Sequence, residues 1–155
     1  EATGSDFLAG YVRAQIDAAN LRSLVRTLRM GRNADFLQDV LFEGGTIESQ
    51  ALLKVSADGG AGLAELYAPM DLAAAAEAGA AILKGGAMTE FEKLCDDAVE
   101  EYLAGAQAIP FGEAPLIAYL AARETEYTNL RILLLGRGAG LAPDLIRARL
   151  RRSCV

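Results

Sequence analysis

A six-residue helical pattern occurs twice in this sequence, first as DAANLR over residues 17–22 and again, 109 residues later, as EYTNLR over residues 126–131. The two copies stay in register without a gap as far as residues 41 and 150, and seven of the 25 aligned positions are identical. In each copy a helix is followed by a glycine-containing turn and a short helix that begins near an aspartate. The simplest explanation is a duplication in which one helical hairpin is used twice.

The composition extends the helical interpretation to the whole chain. Of the 155 residues, 53 are Ala or Leu, whereas only 19 are Val, Ile or Thr. Ala and Leu favour helices and β-branched residues favour strands, so we predict an all-α fold. Capping residues and glycines predict the main helices over residues 6–29, 34–42, 47–55, 70–84, 90–104, 114–135 and 143–151.

Charge is distributed unevenly along the chain. The local net charge is +2 over residues 1–34, −12 over residues 35–122 and +4 over residues 123–155, which gives −6 in total. Such a distribution suits a protein held between two different partners, although an ordinary solvated surface explains it equally well. We divide the chain into a helical unit over residues 1–56, an acidic helical segment over residues 57–109 and a second helical unit over residues 110–155.

The polar residues of the repeated pattern lie among leucines at helical spacing, so they need partners if they are buried. The favoured interpretation is structural: Asn20 and Asn129 bind backbone carbonyls or helix ends of neighbouring segments, and Asp17 and Glu126 do the same. A ligand site at these residues is the alternative.

The two arginines of the pattern, Arg22 and Arg131, lead to different predictions. Arg131 stands in an apolar stretch, LRILLL over residues 130–135, which predicts a central position in the fold. A guanidinium there needs a carboxylate or carbonyl from another segment, for which the acidic middle segment is one source. Arg22, Arg26 and Arg29 share the opposite face of the first helix and form a candidate interface for an acidic partner. A solvated stripe is the alternative.

Enzymatic interpretations find little support. The sequence has no histidine, which removes the commonest general base and metal ligand. A cluster of six carboxylates is interpreted as a solvated acidic face, because helical di-metal centres use a Glu-x-x-His pattern that is missing; its members are Glu90, Glu92, Asp96, Asp97, Glu100 and Glu101. We therefore predict no catalytic, cofactor-binding or metal-binding residues.

The remaining candidate motifs have ordinary structural explanations. Gly136-x-Gly138-x-Gly140 follows a helix rather than a strand, so it is interpreted as a turn and not as a dinucleotide site. Acidic neighbours of Cys95 should raise its pKa, and both cysteines are expected to be reduced thiols. The arginines near the C-terminus lack interleaved aromatic residues, so no nucleic-acid partner is expected. No apolar run is long enough to span a bilayer, and the N-terminus lacks a secretory signal pattern.

The ordered series of motifs resembles the C subunit of the V/A-type ATPases and ATP synthases, a family related to the d subunit of the vacuolar ATPase. The resemblance rests on DAANLR followed by GGTI at residues 44–47, FEKLCDD at 91–97, PFGEAPLIAYL at 110–120, RETEYTNLRI at 123–132 and GLAPDLIRARL at 140–150. It covers nearly the whole chain. The order of the motifs, rather than any single one, makes it specific.

The resemblance implies an architecture and a role. Family members consist of three related helical units arranged as a funnel, so this chain is expected to be a C-terminal portion with two of the three units.

The implied role is non-catalytic and needs no cofactor: the subunit seats the central stalk on the membrane rotor ring, in proton or sodium transport linked to ATP. Its partners would be the central-stalk subunits and the ring, and its location cytoplasmic and peripheral to the membrane. A missing unit would expose an apolar flank through which the chain could self-associate. The alternative is a free-standing helical scaffold or peptide-binding module.

Overall fold

Helices account for all the regular secondary structure in a computed structural model of the chain, which describes residues 4–152 apart from the side chain of Gln107. Within that range there is no strand, so the prediction of an all-α fold is confirmed. The α-helices are α1 (Asp6–Arg29), α2 (Ala34–Val40), α3 (Ser49–Ala57), α4 (Leu63–Tyr67), α5 (Ala73–Leu83), α6 (Met88–Ala104), α7 (Ala114–Gly138) and α8 (Pro143–Arg147), and a 3-10 helix spans Gly105–Ala108.

The two copies of the sequence pattern have the same local structure, and we name residues 6–42 the first repeat and residues 115–151 the second repeat. α1 and α7 each end one residue before a capping residue that is followed by glycine with a positive φ, Gly31 at 64° and Gly140 at 69°. The N–H after each glycine donates to a carbonyl five residues earlier, Arg32 to Thr27 at 3.0 Å and Leu141 to Gly136 at 2.9 Å. Both helices therefore end in the same left-handed glycine cap.

The glycines at the end of α7 correct one prediction. The sequence predicts Gly136 and Gly138 in a turn, but both are helical, and only Gly140 lies in the turn. Gly136 is buried against α8, and a Cβ added there would lie 2.8 Å from Cγ1 of Ile146. The missing side chain lets α8 pack closely on α7, so this glycine serves the approach of two helices rather than a change of chain direction.

The hydrophobic core lies around α1, which packs against α5 and α6. Leu21, Leu24 and Val25 of α1 are fully buried, together with Phe91 and Cys95 of α6. α7 packs on α6 and on the 3-10 helix, and α8 packs on α7. In the described part of the chain, no helix has the length and apolar character needed to cross a membrane. The core draws on residues from both sides of residue 56. The division of the chain at residues 56 and 109 stays a prediction.

Candidate interaction site

The asparagines of the two repeats make the same pair of hydrogen bonds. The Asn20 side chain donates to the Phe42 carbonyl at 2.9 Å and accepts the Phe42 N–H at 2.8 Å. The Asn129 side chain donates to the Arg151 carbonyl at 3.0 Å and accepts the Arg151 N–H at 2.8 Å. In both repeats the bound residue lies 22 positions after the asparagine. Each side-chain amide thus clamps the segment that follows the short helix, and we call these contacts the asparagine clamps.

The acidic residues of the two patterns behave differently. Asp17 is buried, and its carboxylate accepts the backbone N–H groups of Thr46 at 2.9 Å and Ile47 at 3.3 Å. Glu126 is exposed and pairs with Arg123 one turn earlier on the same helix. The position equivalent to Thr46 is residue 155, which lies outside the described residues, so the two environments can be compared only in part.

The carboxylates of α6 bind arginines from both repeats. Arg22 donates to Glu92 at 3.1 Å and to Asp96, and Arg26 donates to Glu92 at 2.7 Å. Asp96 also accepts the Nε–H of Arg151, the residue held by the second asparagine clamp. One carboxylate therefore links an arginine of the first repeat to an arginine of the second. Because the side chains of Arg22 and Arg151 are mostly shielded from water, these pairs are screened less than ordinary surface pairs.

Two further carboxylates of α6 are buried toward the second repeat. Asp97 accepts the backbone N–H of Arg152 at 2.9 Å, and Glu100 accepts the hydroxyl of Thr125 on α7. The prediction of a solvated acidic face is thus wrong for this part of the cluster, and the reason is that α6 lies between the two repeats. Among the residues that the structure describes, no group of three carboxylates or thiols is arranged to hold a metal ion.

Arg131 does not lie in the core, which corrects the prediction of a central position. Its side chain is exposed, and it makes no hydrogen bond or ion pair with any residue in the range 4–152. The surrounding leucines are also exposed, namely Leu130, Leu133, Leu134 and Leu135. The apolar stretch that predicted burial instead forms an open face of α7.

The candidate interface of Arg22, Arg26 and Arg29 is only partly available. Arg22 and Arg26 are engaged by α6 as described, whereas Arg29 is exposed in the last turn of α1. Whether this face contacts another protein stays a prediction. Arg29 is the member of the set best placed for it.

Cys95 is unsuited to nucleophilic chemistry, because its pKa is raised to about 12. Burial is the largest cause, and Glu92 and Asp96 raise it further, while Arg22 and Arg26 lower it. The direction agrees with the prediction from sequence, but the acidic neighbours are not the main reason. Cys154 lies outside the described residues.

Sequence reasoning missed Arg151 and underrated Asp96 as residues that join the two repeats. One signal was available: Arg151 stands 22 residues after Asn129, as Phe42 stands 22 residues after Asn20. Asp96 gave no comparable signal, because its partners lie 74 and 55 residues away along the chain. These ion pairs and backbone hydrogen bonds join the two repeats through α6.

Comparison with known proteins identifies the family of this chain. The chain matches the family described as ATP synthase (C/AC39) subunit over residues 1–149, and it belongs to that family. It is 31% identical over 148 residues to the C subunit of the A-type ATP synthase of Haloferax volcanii, covering 90% of this chain and 40% of that protein.

Two further relatives have related names. The chain is 27% identical to the C subunit of the V-type sodium ATPase of Enterococcus hirae, covering 98% of this chain and 46% of that protein. It is 29% identical to the C subunit of the A-type ATP synthase of Halobacterium salinarum, covering 92% of this chain and 41% of that protein. The chain thus spans less than half the length of these relatives. No solved structure gives a significant match.

Proposed function

We propose that the chain is part of a non-catalytic central-rotor subunit, which couples the stalk of a V/A-type ATPase to its membrane rotor ring. The match to the ATP synthase (C/AC39) subunit family over residues 1–149 is the observation that carries this proposal. In this role the chain takes part in proton or sodium transport, while ATP is made or hydrolysed on other subunits. It would lie on the cytoplasmic side, bound to the membrane only through the complex.

The contacts of α6 support the role of a rigid connecting part. A rotor component has to transmit force between its partners without separating into pieces. Asp96 binds Arg22 and Arg151, and Asp97 binds the backbone of Arg152, so that α6 is tied to both repeats. Polar networks whose members are all satisfied make a structure rigid and specific.

Co-purification tests the proposal. The full chain, carrying an affinity tag and expressed with the central-stalk and ring subunits of its own ATPase, should retain both kinds of subunit on the resin. Arg29→Glu should weaken that retention without changing the circular dichroism spectrum, because it reverses an exposed charge on the candidate interface. Arg13→Glu is the matched control, since Arg13 is exposed on α1 at a different angle around the helix.

Two results would count against the rotor role. Failure of the tagged chain to retain either stalk or ring subunits would contradict it directly. ATP hydrolysis by the purified chain alone would contradict the non-catalytic part of the proposal. Equal retention by the two arginine variants would remove Arg29 from the interface without affecting the rest.

A second candidate function is a free-standing helical scaffold or peptide-binding module. The exposed leucines of α7 favour it, because an open apolar face on a helix suits the binding of another helix. A gene neighbourhood that encodes no other ATPase subunits, together with retention of unrelated helical peptides, would favour this alternative over the rotor role.

A further inference from the structure

The second repeat contributes little to the main hydrophobic core. The buried residues of that core run from Ala18 on α1 to Cys95 on α6, and the residues packed against it extend to Val99. The buried residues of α7 are all small, namely Ala114, Ala121, Ala122 and Gly136. Because the free energy gained on burial scales with apolar area, they add far less than the leucines of α1 do. Other contacts must therefore hold the second repeat on the rest of the chain.

Space is left between the second repeat and α1. An open cavity of about 390 Å³ lies between α1, α6 and α7. Tyr11 and Gln15 line it from α1, and Val99 and Leu103 line it from α6. Close packing resists displacement, whereas a side chain that lines a cavity lacks neighbouring atoms on that side. α7 can therefore tilt relative to α1 without displacing side chains of the core.

The loop over residues 109–113, which leads into α7, has the features of a hinge. All five of its residues are exposed, and the side chain of Phe111 is exposed to 85%. Gly112 has a φ of 95°, and a Cβ added there would meet no atom within 4 Å. A few loop residues that are not held by packing can absorb the changes of φ and ψ that a hinge motion requires.

Polar contacts fix the second repeat to α6, and several of them are modest restraints. Asp97 accepts the backbone N–H of Arg152 at 2.9 Å. Glu100 accepts the hydroxyl of Thr125. The donors of both hydrogen bonds are uncharged. The ion pair of Arg152 and Glu101 is exposed, and exposed pairs contribute little.

The ion pair between Asp96 and Arg151 is of a different kind. Both groups are charged, and the Arg151 side chain is mostly shielded from water, so the pair is screened little. Asp96 also binds Arg22 of the first repeat. The asparagine clamp holds the backbone of Arg151 on α7 through Asn129, at 2.8 and 3.0 Å. One carboxylate thus ties α7 to α1 as well as to α6.

We propose that the second repeat is a hinged arm, which turns about the loop over residues 109–113 and which Asp96 locks at one angle. With the lock closed, the chain is the rigid connecting part described above. When Asp96 loses Arg151, the arm tilts relative to α1, while the core and the second repeat each keep their own structure. This inference concerns the motion of the chain and does not depend on the rotor role.

Distances between two spin labels test the hinged arm. The labels are attached to the full chain at two exposed positions, through Glu77→Cys on α5 and Arg137→Cys near the end of α7, with Cys95→Ala and Cys154→Ser. Double electron–electron resonance measures the distribution of distances between them. With Asp96→Ala the width of this distribution should increase about twofold or more, because the arm is no longer held at one angle.

Matched variants distinguish the lock from a general loss of charge. Arg151→Ala should broaden the distribution as Asp96→Ala does, since it removes the same ion pair. Arg22→Ala should leave the distribution narrow, because Asp96 still binds Arg151. Asp144→Ala is the matched control and should also leave it narrow, since it removes an aspartate from an exposed ion pair within α8.

A second pair of labels distinguishes motion of the arm from loosening of the fold. It joins Glu77→Cys to Arg29→Cys, which is exposed in the last turn of α1. Since α1 and α5 share the core, this distance should stay the same in every variant. Circular dichroism of each variant checks that the helix content is unchanged.

Three results would overturn the proposal. The first is an unchanged distribution between α5 and α7 in Asp96→Ala, which would mean that packing alone fixes the arm. The second is equal broadening between α1 and α5, which would mean that Asp96 supports the whole fold and not an angle. The third is a distribution in the unaltered chain that is already as broad as in Asp96→Ala, which would mean that the ion pair locks nothing.

Discussion

α1 and α7 are equivalent helices with opposite surroundings. Both are about the same length, both end in a glycine cap, and both carry an asparagine that clamps the chain 22 residues later. α1 is nevertheless enclosed by α5 and α6, whereas the equivalent face of α7 is open. The backbone pattern of a repeat is therefore set by its own residues, while the burial of its helix depends on what other segments supply.

The largest difference in stability between equivalent substitutions of the two repeats should appear at a pair of leucines. Leu21→Ala should lower the free energy of unfolding by about 2–5 kcal/mol, because it leaves a cavity in the core. Leu130→Ala, at the equivalent exposed position, should change it by no more than about 0.5 kcal/mol. Urea unfolding followed by circular dichroism measures both. Similar losses would mean that Leu130 is covered in solution, contrary to the structure.

Loss of either asparagine clamp should have more similar effects on stability than the two leucine substitutions, since both clamps make the same two hydrogen bonds. Asn20→Ala should cost about 2–3 kcal/mol, because it leaves backbone groups of Phe42 without partners beside the core. Asn129→Ala should cost about 1 kcal/mol, since its partly exposed surroundings allow water to replace the amide. The same unfolding experiment compares them. A larger loss for Asn129 would contradict the order of burial.

Arg22 and Arg131 occupy equivalent positions, and removing each should show how much its charge contributes to stability. Arg22→Ala should destabilise by about 1–3 kcal/mol, because it removes hydrogen bonds to two carboxylates in a shielded position. Arg131→Ala should have an effect within about 0.5 kcal/mol, and not the several kcal/mol that a buried position would give. The melting temperatures of both variants and of the unaltered chain, measured at low and at high salt, check these values. A large loss for Arg131 would restore the prediction of a central position.

The smallest effect concerns Cys95, whose ionisation should not alter stability near neutral pH. Its pKa in the folded chain, about 12, lies above the value of about 8.5 for a free thiol, so ionisation favours unfolding only above roughly pH 8.5. In a Cys154→Ser variant, which leaves one thiol, Ellman's reagent at pH 8 should react slowly until urea is added. Rapid reaction of the folded chain would contradict the burial of Cys95.

Much of the fold could be predicted from sequence because its signals are local. Gly31, Gly140 and Asn33 mark helix ends through the backbone conformations and hydrogen bonds that they favour, so the sequence locates the helices even where their ends differ by a few residues. The shared register of the two repeats also indicates where equivalent helices lie. These inferences need only residues that are neighbours along the chain.

The environment of Arg131 could not be predicted in the same way. Leu130 and Leu134 give α7 the composition of a buried helix. Composition alone cannot distinguish a helix whose apolar face is covered from one whose apolar face is exposed, as it is here. The prediction for the acidic cluster on α6 was wrong for a related reason. Asp96 and Asp97 look solvated in isolation, and only the tertiary position of α6 between the repeats shows that they bind Arg151 and Arg152.

The asparagine clamps also bear on how fast the chain folds. Each joins two points 22 residues apart, and the entropy lost on closing a loop depends mainly on its length. The two hairpins therefore start from the same entropic cost, and contacts at such short separation are typical of rapid folding. The first hairpin also contributes α1 to the core, so opening it exposes more apolar surface than opening the second hairpin does. The two repeats would then close on similar timescales and open on different ones.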